Sequence, residues 1–385
     1  MKLSTLVYMT VAGSLISALS VGCSKSEEEA LAIDLSRQAS AAAQESGYKM
    51  QQEGEAVLHV YTWSDYISPD VLASFEKALN CKVKIDTFDS NETMYAKLKA
   101  GGAGYDIIMP SSYLVSLMAK EGLITKFDHA RIPNVRKNFD KNFSSQILDP
   151  TFLYNVPYAV TYTGFMYIKN KVPAGVDINS WKALENSAFN GKVTLLDDLR
   201  EVIGAGLMAC GYSINSRNPA EIDAAVEMVL KWKKNVRKFD SESYKTEVAS
   251  SATWLGLGYS TDATQVIIGE EEGDARDDIG FALPKEGYTI AFDEMVLSSK
   301  SKNVDLAYAF INYLYNGDVA KVNMEYIMGP MPVKPGIDAL DEGYRSQIVL
   351  SEEIITKGQP LMPVDDDPAV MELYNKAWDK IKATK

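Results

Sequence analysis

Histidine and cysteine are scarce, two and three respectively in a chain of 385 residues. Neither His59 nor His129 sits in a Ser or Cys motif for nucleophilic catalysis. The sequence has no HExxH, no Cys pair and no phosphate-binding glycine loop. Paired carboxylates are the remaining route to hydrolysis, but with 52 Asp and Glu chance pairs carry no weight. Positive charge is in deficit, 39 Lys and Arg giving a net charge of −13. That balance excludes nucleic acid and an anionic membrane surface as partners and is compatible with a cationic ligand. The acidic loop at 269–278, GEEEGDARDD, lacks the spacing of a calcium loop. Neither a cofactor nor a metal is expected, and no solenoid-period repeat is present.

Long apolar runs are absent except at the start. MKLSTLVYMTVAGSLISALSVGC carries Lys2, then an apolar stretch ending in small residues. This reads as a secretory signal over residues 1–22, with Cys23 as the lipidated first residue of the mature chain. Residues 23–56 are rich in Ser, Ala, Gln and Glu, with Tyr48 their one aromatic. Such a composition buries little and predicts a lipid-anchored tether. The expected location is the periplasmic or extracellular face of a membrane. The two remaining cysteines, Cys81 and Cys210, read as small core residues.

From Val57 onward the pattern alternates. VLHVYTW (57–63), KVKIDTF (82–88) and YDIIMP (105–110) read as strands, each followed by a stretch of helical spacing. The same rhythm returns with KVTLLD (192–197), ATWLGLGYS (252–260) and IAFDEMVLSS (290–299). The length calls for more than one core, and the alternation predicts an α/β fold with largely parallel sheet.

Residues 60–69, VYTWSDYISP, place an indole, a carboxylate and a phenol at one strand-to-helix turn. Aromatic faces attract cations and a carboxylate supplies acceptors only, which suits a small organic cation. The same turn also reads as core packing by Trp63 and Tyr66 with Asp65 as a helix N-cap. Ser111–Tyr113 and Asp198–Glu201 occupy equivalent strand-to-helix positions, where open α/β sheets bind ligands. Tyr259–Asp262 and Asp293 lie at or within strands.

These stretches, together with FDSNETMYAKLKAGGAGYDIIMPSSYLVSLMAKEGLI and LLDDLREV, resemble the polyamine-binding proteins of bacterial ABC importers. The resemblance runs from Val57 to the C-terminus. It implies a two-lobed periplasmic-binding-protein fold of type II character, with the ligand cleft between lobes joined by hinge strands. Lobe 1 is expected at 57–160 and 291–337 and lobe 2 at 161–290 and 338–385, with crossings near Tyr158–Gly164, Glu286–Ile290 and Pro335–Leu340. Cys81 and Cys210 then fall in different lobes and no disulfide between them is expected. The implied function is capture of spermidine, with putrescine as a weaker ligand, and delivery to the permease subunits without turnover. The resemblance implies ligand contacts at Trp63, Ser64, Asp65, Tyr66, Ser111, Ser112, Tyr113, Asp198, Glu201, Ser241, Tyr259, Asp262 and Asp293. It departs at Ala291 and Gly329, where the family carries rings that sandwich the ligand. These small residues suggest room for a longer ligand. A receptor or sensor for another organic cation is the alternative reading; an iron receptor using Tyr ligands or an extracellular enzyme is more remote.

Overall fold

The structure, a computed structural model, describes residues 25–50, 56–88, 90–102, 104–269, 275–348, 351–363 and 367–384. The expected signal peptide and Cys23 lie outside these residues. Eleven strands form one mixed sheet: β1 (Ala56–Thr62), β2 (Cys81–Thr87), β3 (Ile107–Ile108), β4 (Ile124–Thr125), β5 (Val156–Ile168), β6 (Val193–Leu195), β7 (Val236–Phe239), β8 (Leu255–Tyr259), β9 (Ile279–Ala282), β10 (Tyr288–Ser298) and β11 (Gly358–Pro360). Their order is β2-β1-β3-β10-β5-β8-β6-β7, with β4 and β11 pairing β10 and β9 pairing β5.

Each half of the sheet has a parallel trio flanked by one long antiparallel strand. β1 pairs in parallel with β2 and β3, and β6 does so with β7 and β8. The parallel pairs follow from helical crossovers, because only a crossover returns the chain in the same direction. The helix Pro69–Leu79 links β1 to β2 and starts with Pro at its first turn, where the missing N–H costs nothing. It ends on Asn80 in the left-handed conformation, φ 49°. β5 and β10 pair antiparallel across the middle of the sheet, and a bulge shifts their register between Asp293 and Glu294.

Two large cores sit on either side of this central pair. One gathers Leu58, Phe75, Ile107, Tyr158, Phe292 and Phe310. The other gathers Phe165, Trp181, Leu195, Trp232, Leu257 and Tyr374. β5 contributes Tyr158 to the first and Phe165 to the second, so one strand runs through both halves. A smaller cluster around Tyr61, Phe88, Met94 and Tyr105 completes the first half. Cys81 belongs to the first core, Cys210 is half-buried, and no disulfide joins them.

Two sequence expectations need correction. Residues Lys25–Glu45, read as tether, form a helix. Leu35, Ala39, Ala42 and Ala43 of that helix are buried in the first core, packed on the helices Pro69–Leu79 and Val304–Leu314. Small side chains let it approach closely, so little apolar mass is needed. The lobe boundary at 338 also moves. Leu340, Tyr344, Ile348 and Ile355 all pack in the first core. The chain reaches the second half only after β11 pairs with β10 at Tyr288–Ile290, where Leu361 and then the helix Pro368–Ala383 join the second core.

Candidate functional site: an acidic, ring-lined cleft

The parallel strands end on the same side, and the turns leaving them surround one cleft of about 610 Å³. All thirteen residues singled out in the sequence line it. β1 delivers Trp63–Tyr66, β3 delivers Ser111–Tyr113, β6 delivers Asp197–Asp198, and β8 delivers Tyr259 with Asp262 one turn into the helix Ser260–Ile268. β10 contributes Asp293, and the floor is Ala159, Thr161 and Ala291 from the central strand pair.

Among the described residues, seven carboxyl side chains face the cleft, Asp65, Asp197, Asp198, Glu201, Glu242, Asp262 and Asp293, against the single ammonium of Lys245. Four rings, Trp63, Tyr66, Tyr113 and Tyr259, share the lining. Such a surface favours a cation that also has apolar length.

In the first half, the local geometry converges on Asp293. Ser111 Oγ donates to Asp293 Oδ1 at 2.6 Å, and the Tyr66 hydroxyl donates to Oδ2. Ser111 is itself held twice by Asn91, through its N–H to Asn91 Oδ1 at 3.0 Å and from Asn91 Nδ2 to its Oγ at 3.0 Å. The Tyr66 ring rests against Tyr158, with centroids 5.4 Å apart, and Tyr158 Oη donates to the Tyr66 carbonyl at 2.7 Å. Burial raises the Asp293 carboxyl, and the bonds from Ser111 and Tyr66 oppose that rise. Asp65 is exposed with φ 51°. It does not cap the following helix, whose N-cap is Ser68, so the core-and-cap reading of this turn fails for Asp65. Trp63 packs edge-on to Phe88 at 4.5 Å between centroids.

In the second half, the acids are already partly engaged. Asp198 caps the helix Leu199–Ala209, its Oδ1 accepting from the N–H of Arg200 at 2.7 Å and of Glu201 at 3.0 Å. Glu201 is buried and accepts from Thr289 Oγ1 at 2.8 Å. Burial pushes its carboxyl up and the Asp198 charge adds to this, while Thr289, Thr163 and Arg200 pull it down. Tyr244 Oη accepts from the Tyr259 N–H at 2.8 Å and donates to Asp262 Oδ2 at 2.5 Å. Burial, followed by the charges of Asp198, Glu201 and Asp262, drives the Tyr259 phenol well above its ordinary value. Ser241 Oγ accepts from the Asp197 N–H at 2.9 Å, which braces the turn after β6.

Sequence reasoning missed Asn91, Lys245 and Thr261. Asn91 opens the specific stretch NETMYAKL, but nothing local marks its bond to Ser111. Thr261 settles one departure: a Cβ at Gly329 would lie 2.4 Å from Thr261 Cγ2. The space beside Gly329 is therefore taken by the Thr261 methyl. Phe292 and Met331 do not replace the rings, since both are buried in the first core; Tyr326 lines a smaller neighbouring cavity behind the Trp63–Ile67 turn.

Comparison with known proteins decides the family. Residues 70–348 match the family described as bacterial extracellular solute-binding protein. The chain belongs to that family. It is therefore a periplasmic or extracellular solute-binding protein and not an enzyme. The putrescine-binding periplasmic protein SpuD of Pseudomonas aeruginosa is 32% identical over 348 residues, 87% of this chain and 94% of the relative. The spermidine/putrescine-binding periplasmic protein of Salmonella typhimurium is 32% identical over 329 residues, 85% and 91% of the two chains. Among solved structures, a putative spermidine/putrescine ABC transporter from Listeria monocytogenes superposes with TM-score 0.76 at 29% identity, covering 86% of this chain and all of its own (100%). The TpPotD lipoprotein of Treponema pallidum gives 0.75 at 28% identity, covering 84% and 99%. The α/β solute-binding fold is common to them.

Proposed function

We propose that this solute-binding protein captures a linear polyamine, spermidine or putrescine, between the two halves of the sheet and hands it to the membrane subunits of an ABC importer. The observation that carries this reading is the lining of the cleft, which among the described residues has seven carboxyls to one ammonium with four rings. A polyamine is ammonium groups separated by methylenes, so it requires acids at intervals and apolar faces between them. Asp293, fixed by Ser111 and Tyr66, is the acceptor for one amine; Trp63, Tyr66, Tyr113 and Tyr259 flank the methylenes; Asp65 and the acids after β6 meet the far end. A cation over a ring contributes about 0.5–2 kcal/mol and a hydrogen bond to a charged group about 1.5–3 kcal/mol. Micromolar binding requires about −8 kcal/mol, within reach of three or four such contacts after ordering costs. The lobes are proposed to hinge at β5, β10 and the passage through β11. Export and lipidation at Cys23 complete the proposal: the N-terminal peptide of the mature protein should carry acyl chains in mass spectrometry, and an unmodified mature start elsewhere removes the anchor.

Thermal unfolding with ligand classes tests the function. A ligand that binds only the folded state raises the melting temperature by mass action. Spermidine and putrescine are expected to raise it, and ferric iron and sugars to leave it unchanged. A rise with another organic cation and none with either polyamine overturns the ligand class.

A further inference from the structure

Among the described residues, Lys245 is the one cation lining a cleft otherwise charged by carboxylates. It sits in the short helix Tyr244–Ala249, and its Nζ donates to Gln265 Oε1 at 2.6 Å. The same Nζ lies 3.8 Å from Asp262 Oδ1. The other oxygen of that carboxylate accepts from the neighbouring Tyr244 at 2.5 Å. Asp262 therefore faces a phenol on one oxygen and a resident ammonium near the other. Gln265 supplies the acceptor that holds the ammonium there. The lysine side chain keeps 31% of its surface exposed, so solvent reaches the pair, and its Nζ is close enough to occupy the acid.

We propose that Lys245 is a built-in terminal ammonium that sets how many amines the ligand carries. This rests on the polyamine reading. An incoming ammonium at Asp262 meets like charge, which is a repulsive element of the kind that separates related ligands. The Asp262 side then does not serve as the site of a third amine. A diamine, whose two charges are met by Asp293 and the remaining acids, is unaffected by Lys245. A triamine has one ammonium more and competes with it. Lys245 is thus a specificity-determining residue, acting through Asp262.

Calorimetric titration of wild type, Lys245→Met and Lys245→Arg with putrescine and with spermidine tests this. Methionine keeps the stem and removes the charge; arginine keeps the charge. For Lys245→Met the spermidine affinity is expected to rise by about tenfold while putrescine changes by less than about threefold. Lys245→Arg is expected to keep the wild-type ratio. If wild type binds both amines and the ratio in Lys245→Met is unchanged, or both affinities shift equally, Lys245 acts only as a general charge and the inference falls. Binding of neither amine to wild type overturns the polyamine reading itself. Melting curves of each variant establish that it is folded.

Discussion

Asp293 and Glu294 are neighbours on β10 with different surroundings. Asp293 reaches the cleft, where two hydroxyls hold it. Glu294 is fully buried and neither of its carboxyl oxygens makes a hydrogen bond of ordinary geometry. Burial pushes its carboxyl from 4.5 up to about 8; nearby Asn155 offsets part of this, and Asp293 and Asp149 add to it. The folded state then keeps a proton that the unfolded state has lost. Stability from this group is complete below about 4.5 and falls as pH rises to about 8, with a slope near ~1.4 kcal/mol per pH unit. Denaturant unfolding at pH 5 and pH 8 should show wild type losing stability and Glu294→Gln losing less. Glu201, raised in the same direction, leaves a residual slope. Equal slopes would mean Glu294 ionises freely. Asp293→Asn should keep the fold and weaken polyamine binding by about 1.5–3 kcal/mol in calorimetry; unchanged affinity would remove Asp293 from the site. The carboxylates and rings were legible one by one, because most sit in turns that leave strand ends, with Asp293 inside β10 known only by resemblance. Their prior engagements were not, because Tyr244, Asn91 and Lys245 carry no local signature.

The helix Lys25–Glu45 shows why composition misled. A segment with no large apolar stripe reads as solvated, yet Ala39 and Leu35 are wholly covered. Asn312 Nδ2 also donates to Glu45 Oε2 at 2.9 Å, and Arg131 Nε to the Ser46 carbonyl at 2.9 Å. Leu35→Ala should therefore cost about 2–4 kcal/mol in urea unfolding; a change near zero would return the segment to a tether. At the helix Leu199–Ala209, Asp198, a ligand contact by resemblance, is also the N-cap. Asp198→Ala should lose about 1 kcal/mol of stability, whereas Asp198→Asn should keep most of it, since Asn caps equally well. The pair separates capping from ligand binding: a loss of polyamine affinity in Asp198→Asn without a stability loss is expected if the carboxylate also meets the ligand, and unchanged affinity would leave it as a cap alone. The sheet is mixed where a largely parallel one was expected, because β5 and β10 pair antiparallel with each other and with β3, β8 and β9. The parallel strands β1, β2, β3, β6 and β8 were read from period and turn residues, but β5, β7 and β9 were not. The segment after Pro335 was not, because Ile337 and Leu340 bury in the first core and the crossing to the second half waits for β11.

Taken whole, the molecule is two large cores joined by β5, which supplies both, with an acidic, aromatic cleft over the β5–β10 pair. The alternation of strands and helices made this fold class readable, and the turns at the strand ends located the cleft. What the sequence left open is how the two halves meet, since that depends on contacts distant in the chain, such as Thr261 against Gly329. Closure over a ligand would desolvate the cleft and strengthen each charge-assisted bond. Isothermal titration of the folded chain with spermidine and putrescine, and with a neutral diol of similar length as control, tests polyamine capture most directly. Saturable binding of one amine per chain, weakened by salt and absent for the diol, is expected. No heat and no saturation with either amine would contradict it.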